Sequence, residues 1–182
     1  MTHWSAMAQA DAPVSWLWHV RDWPFLARFL AAAGVAVLLT AWPLPPSWAL
    51  YRPEWCLLVV WHHAISRPDR ASMLGPWLVG LVLDVLGGGP LGLHALLLPV
   101  AAALAVRCAA FFDIFAIWQQ ALLLVPMVLL YEMLSFWLHA LLGHPTPLHW
   151  QPLFGSVLVW WPLEWLLQPL WSQRTDGERL GS

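Results

Sequence analysis

The stretch GLVLDVLGGGPLGLHAL, residues 80–96, decides how the chain is divided. Apolar residues run on either side of it, long enough together to be taken for one helix. Three glycines and a proline interrupt them at residues 87–90. Glycine is a poor helix former that reaches left-handed backbone conformations, and proline removes a backbone donor and clashes with the preceding turn. The break therefore predicts one helix ending at Leu86 and another beginning at Leu91. A helix that crosses a bilayer needs about 20 mostly apolar residues. Working outward, such windows lie at 25–42, 50–65, 71–86, 91–108, 118–142 and 152–171. The first contains Arg28 near its start and is stopped by Pro43, Pro45 and Pro46. Pro53 falls in the expected first turn of the second, where proline is tolerated. Merging the third and fourth windows would give five spans; the break and the charge pattern favour six.

The chain has 182 residues, of which 60% are hydrophobic and 10% charged, with a mean hydropathy of +0.65. Soluble domains carry roughly 45–50% and about 25%. A water-soluble domain needs more polar surface than this, and disorder needs far fewer apolar residues. Eight arginines, no lysine and a net charge of −2 give no basic footprint for nucleic acid. Without lysine the glycine-rich break is no phosphate-binding loop. Cys56 and Cys108 alone make neither a disulfide framework nor a cysteine-rich zinc site. No cofactor is expected. The fold class is all-α, a polytopic membrane protein of six transmembrane helices.

Six spans put both ends of the chain on one side. Arg21, Arg28, Arg67, Arg70, Arg107, Arg174 and Arg179 fall on that side and only Arg52 on the other. The excess of positive charge marks it as cytoplasmic. Residues 1–24 form a cytoplasmic N-terminal segment, 25–172 the membrane domain and 173–182 a cytoplasmic tail. The N-terminal segment lacks the short apolar region and small-residue cleavage site of a signal peptide. Trp4, Trp16, Leu17, Trp18 and Trp23 suit a segment lying on the membrane surface, or an unstructured tail. Trp16, Trp18, Trp23, Trp61 and Trp118 cluster toward the inner boundary, and Trp42, Trp48 and Trp150 toward the outer one, the depth that indole rings prefer. Trp77, Trp137, Trp160 and Trp165 fall within spans and read as core packing.

Ionisable groups inside a membrane cost about 2.5–3.5 kcal/mol each and need a reason. Asp84, Glu132 and Glu164 are the three here. Asp84 shares a helix face with Gly80, and Gly88 and Gly92 continue the four-residue spacing. This glycine stripe is expected to pack closely on another helix. Asp84 then either caps N–H groups of the turn or the fourth span, or contributes to a partner contact. Glu132 has His94 and His139 as partners by depth, and Glu164 could donate to the carbonyl that Pro162 frees. Both carboxyls also fit plain interhelical hydrogen bonds. His62 and His63 point about 100° apart on a helix and do not share an ion easily. His139, His144 and His149 match no zinc motif. No paired nucleophile and base can be assembled, so no catalytic residue is named. Ala27, Ala31, Ala32 and Ala36 give the first span a small-residue face suited to helix association.

At this point the chain resembles the rod shape-determining protein MreD family. The carriers are Arg52-Pro53-Glu54-Trp55 with Leu57-Leu58, then Gly80 to Asp84 with Gly88, Leu91-Gly92 and Ala95-Leu96, then Trp118-Gln119-Gln120-Ala121-Leu122 and Trp161-Pro162. They cover residues 25–172 in order. The resemblance implies a non-enzymatic inner-membrane scaffold of the bacterial cell-elongation machinery. It implies action through MreC, and through it with MreB, RodA and a class B penicillin-binding protein, in lateral peptidoglycan synthesis. It also implies a fold similar to the S components of vitamin importers, which makes a substrate-binding importer subunit the alternative. Gly80, Asp84, Gly88, Gly92 and Ala95 are the expected partner-binding or structural signature. His62, His63, His94 and Glu164 depart from the family's pattern, as does the long N-terminal segment.

Overall fold

The computed structural model describes residues 23–112, 114–144 and 147–171. These residues form seven helices and no strand: α1 (Trp23–Ala41), α2 (Pro46–Ala49), α3 (Trp55–Ser66), α4 (Leu74–Gly87), α5 (Leu93–Phe112), α6 (Ile117–Leu141) and α7 (Gln151–Trp171). The N-terminal segment and the polar tail, with Arg21, Arg174 and Arg179, lie outside the described residues.

Helices α3 and α5 form the centre. Helix α5 packs against α3, α4 and α6, and α3 against α1, α5 and α7. Nine consecutive residues of α3, Cys56 to Ala64, are buried, as expected of a helix apolar all round. Trp61 is therefore a core residue, 1% exposed, and not a boundary residue as its place in the sequence suggests. Four residues connect α5 to α6 and five connect α4 to α5. Loops this short make each pair antiparallel neighbours.

The second window begins later than expected. Pro45 and Pro46 start the single turn α2, whose Trp48 and Ala49 N–H groups donate to the Pro45 carbonyl. Pro53 then lies outside α3, with Glu54 as the residue before its first turn. Two local anchors hold this segment off the helix. Arg52 donates to the Thr40 and Trp42 carbonyls at the end of α1. The Glu54 N–H donates to Ser156 Oγ of α7 at 3.0 Å. At 12 residues α3 is about 18 Å long, whereas α5 at 20 and α6 at 25 reach about 30 and 38 Å. By length and composition, Leu93–Phe112 and Trp118–Leu141 are the two described helices that suit a membrane crossing.

Two other expectations change. On α1 the buried side is Phe29, Ala33 and Ala36, with Ala32 half-buried and Ala27 and Ala31 exposed. The alanine spacing had run diagonally across the true packing face. Among the tryptophans inside spans, Trp160 is core, but Trp77, Trp137 and Trp165 face outward.

Candidate functional site: the clasp between α4 and α5

Asp84 lies in the last turn of α4 with its side chain 1% exposed. Its Oδ2 accepts from the Gly92 N–H at 2.9 Å and the Ala95 N–H at 3.2 Å. Its Oδ1 accepts from the His94 N–H at 2.9 Å and from His94 Nδ1 at 2.8 Å. The first N–H groups of a helix have no partner within it and carry the positive end of its dipole. The buried carboxylate answers both needs of α5 from a neighbouring helix. A carboxylate offers about four acceptor positions, and four donors fill them. Such a group holds two helices together.

The glycines divide by role. A Cβ on Gly80 would fall onto the His94 carbonyl and Ala95 Cα, so α4 and α5 touch backbone to backbone there. Ala95 itself is buried. Gly88 and Gly92 have open space where a Cβ would go, so they correct the expectation of one packing stripe. Their φ angles are +63° and +97°, conformations that cost other residues about 1–2 kcal/mol. Gly88 ends α4 and Gly92 sets up α5, which aims the N–H groups at Asp84. Gly80 thus serves contact, and the other two serve the turn.

The remaining carboxyls find partners the sequence did not suggest. Glu132 hydrogen-bonds the Glu54 carboxyl; His94 is taken by Asp84, and His139 bonds the Ser135 carbonyl of its own helix at 2.9 Å. A bond between two carboxyls requires one proton between them. Glu164 lies 3.1 Å from Nε2 of the buried His62, so two residues that depart from the family's pattern meet each other. His63 stacks on Phe25, with ring centroids 4.4 Å apart, and meets Phe29 at a tilt, with centroids 4.3 Å apart. Among the described residues no three His, Cys, Asp or Glu side chains gather to hold a metal ion.

Arg52, Glu54, Gly155 and Ser156 were missed as a unit. A Cβ on Gly155 would meet the Tyr51 carbonyl, so α7 presses directly on the segment before α3. Residues 52 and 155 are too far apart in sequence for spacing to reveal this. The one available signal was a small Gly-Ser pair at the start of an otherwise bulky helix.

A helical bundle with apolar faces turned outward and a buried carboxylate between two helices is the build of a membrane protein. The chain belongs to the rod shape-determining protein MreD family, which matches residues 22–170. Among curated proteins, the rod shape-determining protein MreD of Haemophilus influenzae (strain ATCC 51907 / DSM 11121 / KW20 / Rd) is 29% identical over 135 residues, covering 73% of this chain and 83% of that one. No solved structure matches. The family is one of membrane proteins with a structural role in rod shape determination.

Proposed function

We propose that this chain is a non-enzymatic, multi-pass scaffold of the bacterial inner membrane that supports cell elongation through MreC. Through MreC it serves MreB, RodA and a class B penicillin-binding protein during lateral peptidoglycan synthesis. The clasp is the observation that carries this reading: a fully engaged carboxylate and a backbone contact build a rigid corner instead of a reactive centre. Val85, Leu86 and Leu91 are exposed at that corner, and this is the surface we assign to MreC.

The six-crossing arrangement is part of the proposal. Helices α1, α3 and α4 are apolar but short, and the loops at their ends complete the crossings. Arg28, Arg67, Arg70 and Arg107 all fall at the end where α5 turns into α6, and Arg52 at the other. The arginine-rich end is the cytoplasmic one, with both termini there. The test is depletion of the protein from its rod-shaped host. Cells should widen and round, and re-expression should restore rods. Rods that keep their shape after clean loss of the gene would overturn the scaffold reading.

A further inference from the structure

At the arginine-rich end, a cavity of about 100 Å³ lies between α3, α5, α6 and α7, with His62, Ser66, Phe112, Gln120, Trp160 and Glu164 in its wall. One water needs about 10–15 Å³ measured this way, so the space takes a group of several heavy atoms. Its lining joins four polar side chains to Ile65, Phe112 and Trp160. The acceptors are the Glu164 carboxylate, whose Oε2 lies 3.1 Å from His62 Nε2, the Ser66 hydroxyl, 3.4 Å from His62 Nδ1, and the Gln120 carbonyl; each keeps a lone pair beyond those contacts. Gln120 is oriented for this, because its amide nitrogen already donates to the Phe112 and Phe115 carbonyls at 3.0 and 3.1 Å. The aromatic walls are Phe112 and Trp160, whose ring centroids are 6.3 Å apart. Trp160 is 1% exposed, so its ring is a fixed part of the wall.

We propose that this cavity binds a primary ammonium group, such as the one that phosphoethanolamine carries. An ammonium brings three donors and no acceptor. Three acceptors of different kinds converge on the cavity, one of them charged, and aromatic rings attract a cation. The cavity lies at an end of the bundle, where a lipid head group would reach it; free phosphoethanolamine has the same chemistry. The inference is independent of the scaffold reading.

The full-length protein in nanodiscs holding equal mole fractions of phosphatidylethanolamine and phosphatidylglycerol tests it. After extraction, native mass spectrometry should count about one phosphatidylethanolamine retained per chain, at least fivefold over phosphatidylglycerol. Glu164→Gln and Ser66→Ala, the second conservative enough to fold if the first does not, should each lower that preference at least threefold. Soluble O-phosphoethanolamine is the second arm. If it competes the lipid away at equal concentration the site is shown for the free compound, and if it does not the lipid is the source. Equal retention of both lipids together with no binding of the soluble compound, or a preference unchanged in both variants, would overturn the proposal.

Discussion

Gly80 and Asp84 sit one turn apart on α4 and act on the same two residues of α5, His94 and Ala95, by different means. Gly80 offers the absence of a side chain, and Asp84 offers acceptors. Their substitutions should therefore differ in kind. Gly80→Ala already drives a carbon into backbone, where neither side can yield cheaply, and should cost about 1–3 kcal/mol; Gly80→Leu should leave little folded protein. Asp84→Asn keeps one oxygen and loses the acceptors on the other, while Asp84→Ala leaves buried N–H groups with no partner at about 1–3 kcal/mol each. Thermal unfolding in detergent should rank Asn above Ala at position 84, and Ala above Leu at position 80. Equal, mild effects at both positions would mean that the two helices are not held here. Asp84 and Gly80 stand out in the sequence because a carboxylate and glycines in an apolar run have few explanations. The split between contact and turn glycines was not legible, since residue type alone does not report φ or the distance to a neighbouring helix.

At the level of elements, the chain is easiest to read where it is broken by proline and glycine. The starts of α4, α5, α6 and α7 fall within about three residues of the expected windows, because Gly-Gly-Gly-Pro and the polar loops interrupt the apolar pattern locally. Helix α3 begins five residues later than the window that contains it, because long-range bonds from Arg52 and Glu54 hold the preceding segment out of the helix. Arg52 satisfies carbonyls at the end of α1 that have no intrahelical partner. Hydrogen bonds from a charged donor contribute about 1.5–3 kcal/mol. Arg52→Ala should lower stability by that order and Arg52→Lys by less. Proteolysis of the 42–54 segment should become faster in the alanine variant. Unchanged cleavage would show that the guanidinium does not restrain this segment.

On the scale of the whole molecule, composition was enough to separate a membrane chain from a soluble one, and the arginine distribution gave an orientation. It did not give the packing order. That α3 would be the enclosed helix and α6 a more peripheral one depends on which faces meet, and the faces of nearly uniform apolar helices carry little periodic signal. Orientation is directly testable. With Cys56 and Cys108 replaced by alanine, a cysteine at position 69 should react with an impermeant maleimide only after the inner membrane is opened. A cysteine at Trp48 should react in intact spheroplasts. The opposite pattern would invert the topology, and reaction of both in spheroplasts would contradict the single crossing by α3 between them.

The scaffold account rests on contact with MreC at the corner built by the clasp. Co-purification of MreC with this chain from solubilised membranes, comparing the unaltered protein with Leu91→Trp at equal abundance, tests it most directly. Leu91 is exposed, so the larger side chain should be tolerated by the fold while obstructing a partner. The account predicts that MreC is recovered with the unaltered chain and falls at least fivefold with Leu91→Trp. Failure to recover MreC at all, or equal recovery with both proteins, would contradict it.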